Sequence, residues 1–233
     1  MLAVTDSRIP RSAMEKLKST CLVVTLPPFS ALDARVASHP DMLLFPFNGK
    51  LFVCKNYYNE AKEVIDFIVS ESALTLKLTE DALGAKYPED IKFNCFCVGN
   101  GLIGSVNNIS QEIKKEATRA KIALKNVKQG YAKCSTVVLD RAVISADKGI
   151  CEAARALGAD ALLISAGGIE LDGYDCGFIG GASGVSGKQI FFCGDITAHR
   201  DFERIEKFCG ERGYEIVSLS DDPLYDIGTI MFL

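Results

Sequence analysis

The sequence predicts an α/β propeller of five ββαβ units, with the closing unit shared by the two ends of the chain. Three observations lead to this fold class: strand and helix patterns return in one order, the units recur at a regular spacing, and the two ends supply parts that complete each other. The first strands of successive units lie roughly 42 to 51 residues apart, near the range of blade-like repeats. A period of this size indicates a ring of similar units.

The clearest unit runs from Gly130 to Ile164. Asp147 stands where it can cap a helix, and Gly158 can end that helix in the left-handed conformation. Two β-branched runs joined by a tight turn predict a hairpin before this helix, and an apolar run after it predicts a parallel partner strand. The three predicted strands are Thr136–Leu139, Ala142–Ser145 and Ala161–Ile164.

Three further stretches repeat this order. Asn48-Gly49 is a strong signal for a hairpin turn in one of them, and Ser110 is positioned to cap the helix of the next. The stretch from Gly180 to Gly187 is expected to be a flexible loop, because glycine suits unusual backbone angles. The predicted strands and helices of these units are Met42–Phe45, Leu51–Cys54, Glu60–Val69 and Leu74–Leu78; Phe93–Val98, Leu102–Gly104 and Ile122–Val127; and Phe178–Gly180, Gln189–Phe192, Ala198–Cys209 and Glu215–Ser218.

The two ends of the chain each supply part of a fifth unit. Thr229–Phe232 is a lone strand pattern, while Leu2–Thr5 begins a strand, helix, strand pattern that lacks its first strand. Pairing the two would leave no free edge at the seam, and unpaired apolar edges are sites of aggregation. We therefore expect residues 1–233 to form a single propeller domain.

Composition narrows the class of protein. The chain has 233 residues, of which 48% are hydrophobic and 24% charged, so disorder is not expected. A net charge of −4 gives no electrostatic basis for binding nucleic acid, and no apolar run approaches the ~20 residues that span a bilayer. The first residues lack a signal-peptide pattern, so the expected compartment is the cytoplasm.

The nine cysteines are odd in number and most lie in apolar strand patterns, which favours free thiols. A Cys95-x-Cys97 pair on one strand face is a weak metal signal, because the chain has only two histidines and no second close cysteine pair. Neither a metal nor a cofactor is expected. His199 is expected to be an exposed residue at the start of a helix.

Five ββαβ units with a closing unit shared by the termini resemble the pentein fold of guanidino-group-modifying enzymes, which include arginine deiminases, dimethylarginine hydrolases and amidinotransferases. Three segments, Gly130–Ser135, Gly173–Gly184 and Asp226–Gly228, are similar to a bacterial branch of that superfamily to which no settled activity belongs. The resemblance covers essentially the whole chain. It implies a cysteine-dependent hydrolase or transferase that acts on a guanidino or amidino small molecule at the propeller axis.

The resemblance also implies roles for particular residues. His39-Pro40-Asp41 precedes a first strand, as the His-x-Asp element of those enzymes does, so His39 is the candidate general acid/base and Asp41 its carboxylate. Cys134 stands at the entrance of the first strand two units later and is the candidate nucleophile. Cys176, at the next entrance, is the alternative nucleophile.

Other charged residues at equivalent entrances are candidates for binding a cationic group: Glu89, Asp90, Asp175 and Asp226. Lys133 is counted with them and is expected to lower the thiol pKa of Cys134 beside it. Two alternatives to an enzyme stay open. One is a non-catalytic pentein that binds a protein or ribonucleoprotein partner, as a ribosome anti-association factor of similar size and fold does, and the other is a small-ligand-binding protein without turnover.

Overall fold

Five separate three-stranded β-sheets carry the fold of the computed structural model, which describes every residue from Met1 to Leu233. Helices connect the strands, so the architecture is mixed α/β. The strands are β1 (Leu2–Asp6), β2 (Leu22–Leu26), β3 (Leu44–Phe47), β4 (Lys50–Cys54), β5 (Thr75–Thr79), β6 (Phe96–Val98), β7 (Gly101–Gly104), β8 (Ala123–Asn126), β9 (Thr136–Val138), β10 (Ala142–Ser145), β11 (Asp160–Leu163), β12 (Ser183–Ser186), β13 (Gln189–Phe192), β14 (Glu215–Ser218) and β15 (Met231–Phe232). The helices are α1 (Arg11–Lys18), α2 (Pro40–Leu43), α3 (Lys55–Glu60), α4 (Lys62–Glu71), α5 (Gln111–Arg119), α6 (Lys148–Ala156) and α7 (Phe202–Gly210), with one 3₁₀ turn at Ile196–Ala198.

Every sheet follows one plan, in which the middle strand pairs antiparallel with one neighbour and parallel with the other. In four sheets a hairpin comes first and a helical connection then leads to the parallel strand, giving the orders β3-β4-β5, β6-β7-β8, β9-β10-β11 and β12-β13-β14. In the third of these, α6 leads back so that Ala142 pairs with Asp160. The predicted order of strand, strand, helix and strand is therefore confirmed in these sheets.

Local sequence signals explain where several elements start and stop. The side chain of Asp147 accepts a 2.8 Å hydrogen bond from a backbone N–H in the first turn of α6, and Ser110 does the same for α5 at 3.2 Å. Asn48 and Gly49 both have positive φ, +49° and +71°, as a type I′ hairpin turn between β3 and β4 requires. Gly158 ends α6 with φ of +76°. All four predictions are confirmed.

The two ends of the chain meet in the fifth sheet, whose order is β15-β1-β2. Ala3 pairs with Phe232 and Val4 pairs with Met231, in antiparallel register. The predicted pairing of the ends is confirmed, although β15 begins at Met231 and not at Thr229. The reason is that Thr229 has φ of +83°, a left-handed conformation that a strand cannot contain.

The fourth unit differs from the prediction. Its first strand is β12, Ser183–Ser186, and not Phe178–Gly180, so half of the predicted flexible loop from Gly180 to Gly187 is strand. The residues before β12 form a tightly packed loop, because a Cβ atom on Gly180 would overlap the backbone of the segment before β9, and one on Gly181 would overlap a buried carboxylate. Gly187, with φ of +56°, keeps the predicted turn role.

The packing of the sheets brings their first strands together. β6 contacts β9, β9 contacts β12, and β12 contacts β15. Helices cover the other faces through buried apolar stripes such as Ile65 and Ile68 of α4. The segments that enter the first strands consequently converge on one region, which positions the side chains described next. None of the helices combines the length and the apolar character needed to cross a membrane.

Candidate active site

His39 and Asp41 are presented by the short helix α2 at the entrance of β3. His39 is the N-cap residue, and Pro40, with its fixed φ, takes the first helical position. The backbone N–H of Asp41 donates to the carbonyl of Gly228 at 3.1 Å, which ties this turn to the segment before β15. Gly228 has φ of +62° and lies against His39, where a Cβ atom would overlap the imidazole side chain.

Cys134 lies in the turn that enters β9, and Asn94 holds this turn in place. The side-chain oxygen of Asn94 accepts hydrogen bonds from the backbone N–H groups of Lys133 at 2.8 Å and Cys134 at 3.2 Å. Its amide nitrogen donates to Cys134 Sγ at 3.1 Å. The carbonyl of Cys134 accepts from the N–H of Gly181 at 2.7 Å. The sulfur therefore has a fixed position with one neutral donor aimed at it.

The tertiary structure brings the three predicted catalytic side chains into one cluster. Cys134 Sγ lies 2.8 Å from Asp41 Oδ2, and a His39 nitrogen, an Asp41 oxygen and the sulfur all lie within 4.8 Å of one another. All three residues are buried, with exposed fractions of 1% for His39, 1% for Asp41 and 4% for Cys134. A nitrogen base, a carboxylate and a sulfur nucleophile thus share one water-poor site.

Burial governs the protonation of this cluster. It raises the pKa of Asp41 to about 8, an effect that the positive charge of Lys133 and the hydrogen bond to Cys134 oppose. Burial also raises the pKa of the Cys134 thiol well above its usual value. The sequence predicts a thiol pKa lowered by Lys133, but the structure gives the opposite direction, because desolvation and nearby carboxylates dominate.

His39 is kept neutral by the same effect. Burial lowers the pKa of its imidazole, while the negative charges of Asp226 and Asp6 oppose that shift. His39 Nε2 lies 3.5 Å from Asp6 Oδ2, yet this nitrogen has no hydrogen-bond partner. A neutral imidazole with a free nitrogen is able to accept or pass on a proton.

Asp226 completes the polar part of the site. Its two carboxylate oxygens accept hydrogen bonds from the backbone N–H groups of Gly228 at 2.9 Å and Phe178 at 2.8 Å. It fits there because Gly177 and Gly181 have no side chains, and a Cβ atom on either would overlap it. Burial raises the pKa of Asp226, and the nearby His39 opposes the rise.

A cavity of about 140 Å³ opens onto His39, Cys134 and Asp226. This volume exceeds the roughly 10–15 Å³ that one water requires, so a small organic group fits. The remaining lining is mostly apolar and comes largely from the loop between β11 and β12: Val36, Met42, Tyr131, Leu171, Tyr174, Cys176 and Phe178. Arg35 lies 4.4 Å from the ring centre of Tyr174 and donates to the Gly173 carbonyl at 2.9 Å, which holds this loop over the cavity.

The other predicted ligand-binding residues lie in different surroundings. Asp90 is buried and accepts a 2.7 Å hydrogen bond from Tyr131 Oη, whereas Glu89 and Asp175 are exposed and do not line the cavity. Lys133 lines a second cavity, of about 200 Å³, together with Asp41. Cys176 lines the site cavity but is an exposed residue. The binding roles of these residues stay predictions.

The expectation that His199 lies on the surface is wrong. It is buried, and its Nδ1 accepts a 3.1 Å hydrogen bond from the backbone N–H of Asp201. This bond helps to shape the turn between the 3₁₀ segment and α7, which the sequence pattern joins into one helix. Burial lowers the pKa of this imidazole.

Sequence reasoning missed Asn94 and Asp6. The apolar pattern predicts a strand over Phe93–Val98, but β6 begins only at Phe96. Asn94 closes a turn, and its side chain accepts hydrogen bonds from the backbone of the Cys134 segment. Asp6 ends β1 and accepts hydrogen bonds from Arg8 and Ser38. Asn94 is a polar residue inside an apolar run, and Asp6 is one at the end of an apolar run. Those positions are the signals by which they could have been found.

The cluster of His39, Asp41 and Cys134 also offers one nitrogen, one oxygen and one sulfur ligand atom. This donor set is of the kind that binds Zn²⁺, and the short distances among the three atoms permit contact with one ion. The same three groups therefore can hold a metal or carry out covalent chemistry, but not both at once.

The comparison with solved structures finds chains of similar fold. DDAH from Pseudomonas aeruginosa, solved as a cysteine-to-serine mutant complexed with citrulline, is similar with a TM-score of 0.58 at 10% identity, over 94% of this chain and 91% of that one. SxtG, an amidinotransferase from Microseira wollei in the saxitoxin biosynthetic pathway, has a TM-score of 0.54 at 9% identity, over 92% and 76%. Agmatine deiminase from C. jejuni has a TM-score of 0.52 at 10% identity, over 94% and 75%.

These likenesses establish the pentein fold that the sequence predicts. A comparison with curated proteins gave no match. One family model, described as "Family of unknown function (DUF6873)", matches residues 4–231, which is nearly the entire chain. The chain therefore belongs to the family DUF6873, with the fold of the pentein superfamily.

Proposed function

We propose that the five sheets close into a propeller and that its axial site is a cysteine-dependent hydrolase or transferase site for a guanidino or amidino compound. The observation that carries this proposal is the cluster of Cys134 Sγ, a His39 nitrogen and an Asp41 carboxylate oxygen within 4.8 Å of one another, because His39 and Cys134 also line a cavity. The pentein fold supports it, because the solved relatives include a hydrolase, an amidinotransferase and a deiminase.

Charge complementarity supports a cationic substrate. Asp41 and Asp226 are both buried beside the cavity, and burial raises the pKa of each, so an entering cation would favour their ionised forms. A planar guanidinium can take paired hydrogen bonds from a carboxylate, which an ammonium of equal charge cannot. The cation would also favour loss of the Cys134 proton, which burial opposes.

In the proposed reaction, Cys134 and His39 act in two steps, of which the first forms an amidino group on the sulfur and the second removes it. His39 takes the thiol proton as Cys134 sulfur bonds to the guanidinium carbon, and then gives that proton to the nitrogen whose bond to carbon breaks. The released amine leaves an amidino group on sulfur. Water, or an acceptor amine in a transferase, loses a proton to His39 and attacks the same carbon. The carbon–sulfur bond then breaks, and the proton returns to the sulfur.

Binding without turnover is the second candidate function. It is favoured by the burial of Cys134 and by the raised pKa of its thiol, because the thiolate is the reactive form. Under this reading the cavity keeps its selectivity for a guanidino or ureido compound but performs no chemistry.

Thermal shift with matched ligands tests the binding step. Agmatine, arginine, methylated arginines and citrulline should raise the thermal midpoint, whereas putrescine and lysine should have less effect. A ligand at about 100 times its Kd adds about 2.7 kcal/mol to the free energy of unfolding if it binds only the folded state. Asp226→Asn should remove the shift, and Asp221→Asn, at an exposed carboxylate outside the cavity, is the matched control.

Product analysis separates turnover from binding. Incubation with each guanidino compound that binds should release ammonia or an amine and form a ureido product, or transfer the amidino group to glycine or another added amine. Cys134→Ala should keep the thermal shift and lose all product, whereas Cys176→Ala should retain product formation. If no guanidino compound shifts the midpoint, the guanidino proposal fails. A shift without product in the parent protein would favour binding alone.

A further inference from the structure

The lining of the cavity at His39, Cys134 and Asp226 treats the two signs of charge differently. Of its 10 residues, Asp226 is the one acidic residue, and none is a lysine or an arginine. Each carboxylate oxygen of Asp226 already accepts one backbone hydrogen bond, and a carboxylate oxygen has room for a second. A guanidinium group therefore finds a carboxylate partner here, whereas a carboxylate on a ligand finds no cationic side chain.

Two arginines lie beside residues of the site, but each already has a carboxylate partner. Arg35 Nε and Nη2 donate to Asp33 at 2.8 Å and 2.7 Å, and its Nη1 donates to the carbonyl of Gly173 at 2.9 Å. Arg8 donates to both carboxylate oxygens of Asp6, at 3.0 Å and 2.6 Å. Both guanidinium groups are thus neutralised by neighbours in the chain, and neither is free to pair with a carboxylate of a ligand.

The loop between β11 and β12 provides an independent observation, because it adds negative charge around the same cavity. This loop, residues 164–182, contains three exposed acidic residues and neither a lysine nor an arginine. Each of the three is next in sequence to a lining residue, namely Leu171 or Tyr174. The acidic residues are Glu170, Asp172 and Asp175. Charges of one sign around a cavity attract ligands of the opposite sign and repel those of the same sign.

The rest of the lining sets the size and the character of a bound tail. The rings of Tyr131 and Phe178 lie 6.2 Å apart, and the Tyr131 hydroxyl donates to Asp90, so the ring is what this residue offers a ligand. At roughly 10–15 Å³ for one water-sized group, the cavity of about 140 Å³ holds a guanidinium group and a tail of about four carbons. An ionised carboxylate buried among such side chains without a partner is strongly disfavoured.

We propose that this site selects guanidino compounds whose short apolar tail ends in a methyl group or a cation, and that it discriminates against tails that end in a carboxylate. Guanidino compounds with a carboxylate, such as arginine, still bind through the guanidinium group, but more weakly. The lining without lysine or arginine and the acidic loop act in the same direction. This inference rests on the proposed function, because it concerns the substrate of the same cavity.

Calorimetric titration of the full chain carrying Cys134→Ala, which prevents turnover, tests the proposal. Butylguanidine, agmatine and 4-guanidinobutyrate have tails of equal carbon number that end in a methyl group, an ammonium and a carboxylate. The first two should bind about tenfold or more tightly than the third, and affinity should rise about fourfold per methylene from methylguanidine to butylguanidine. Equal affinities of butylguanidine and 4-guanidinobutyrate would overturn this proposal and leave the proposed function standing, whereas no binding of any guanidine would overturn both.

Two triple variants test the loop carboxylates. The first neutralises them, and the preference for butylguanidine over 4-guanidinobutyrate should then fall by about threefold or more, because the repulsion of the carboxylate is lost. The second removes the same charge from three exposed residues at α7, outside the cavity lining, and should leave the preference unchanged. An equal fall in both would overturn the assignment of the loop to selectivity. The variants are Glu170→Gln/Asp172→Asn/Asp175→Asn and Glu203→Gln/Glu206→Gln/Glu211→Gln.

Arg35→Met tests the cation nearest to the aromatic wall of the cavity. Because Arg35 is paired with Asp33 and also holds the loop, the variant should change the affinities for arginine and agmatine by the same factor. Loss of arginine binding with retention of agmatine binding would show that Arg35 recognises a carboxylate, and it would overturn the proposal.

Discussion

Cys134 Sγ and Asp41 Oδ2 lie 2.8 Å apart, although the two residues are separated by 93 positions in the chain. Burial raises the pKa of both groups, so both hold their protons at neutral pH. Asp41 lines one cavity and Cys134 lines another, and the two cavities share no lining residue. This contact links the charge of a bound ligand to the protonation of the thiol.

Asp41 should make the stability of the protein fall as the pH rises. Its pKa is about 8 in the folded chain and about 3.8 in the unfolded one, so the folded state binds more protons between these values. The free energy of unfolding therefore decreases from about pH 4 to pH 8 through this group. Asp41→Asn removes the effect. In chemical denaturation, the unfolding free energy of the variant should rise relative to that of the parent as the pH rises. Because one pKa unit corresponds to about 1.4 kcal/mol, the total change should reach several kcal/mol.

The control for this prediction is Asp175→Asn, which removes a carboxylate from an exposed position. Its difference from the parent should change little over the same pH range. A difference between Asp41→Asn and the parent that does not vary between pH 5 and pH 9 would mean that Asp41 is ionised in the folded protein.

Asn94→Ala should destabilise the entrance of β9 and make Cys134 less reactive. The variant leaves the backbone N–H groups of Lys133 and Cys134 without their acceptor, at a cost of about 1–3 kcal/mol. It also removes the donor that lowers the pKa of Cys134, so the pH midpoint of Cys134 alkylation should rise. Mass spectrometry in a Cys176→Ser background measures this without the exposed thiol.

Asn108→Ala is the matched control for Asn94→Ala. It removes a side-chain amide whose 2.8 Å hydrogen bond joins it to Ser105, outside the site. This variant should leave the alkylation midpoint of Cys134 unchanged. Equal midpoints in both variants would show that Asn94 has a structural role only.

Gly228→Ala should lower the free energy of unfolding by more than the left-handed conformation of this residue alone would cost. Both Gly228 and Gly158 have positive φ, +62° and +76°, so alanine at either position costs roughly 1–2 kcal/mol. A Cβ atom on Gly158 meets nothing within 4 Å, whereas one on Gly228 overlaps His39. We expect Gly158→Ala to lose only that stability, and Gly228→Ala to lose more, together with the thermal shift from guanidino ligands. Equal unfolding free energies would contradict the packing of His39 on this glycine.

Removal of Met231–Leu233 should destabilise the whole chain, because β15 supplies the edge partner of β1. Met231 is buried, and the ring of Phe232 lies 5.1 Å from that of Phe191. Burying two such side chains contributes about 1.5–3 kcal/mol each. The thermal midpoint should therefore fall by on the order of 10 °C. The control is Leu22→Ala, which shortens a side chain that is 45% exposed on the other edge of this sheet. An unchanged midpoint after truncation would contradict a stabilising role for the joined ends.

The repeated units and the joining of the ends could be predicted from the sequence alone. Hairpin turns, helix caps and alternating apolar runs are local, and their physical causes act within a few residues, as at Asn48-Gly49 and Asp147. The prediction placed β12 wrongly and started β6 three residues too early, because glycine and asparagine residues before these strands make contacts with distant segments. A local pattern does not contain those contacts.

The chemistry of the site was decided by tertiary structure. The sequence identified His39, Asp41 and Cys134 through a resemblance, but it gave the wrong direction for the thiol pKa. Desolvation depends on how much of the chain packs around a group, and Lys133, although adjacent to Cys134 in sequence, lines a different cavity. Neighbours in sequence need not share a site in a sheet-based fold, because the backbone can turn successive side chains to opposite sides.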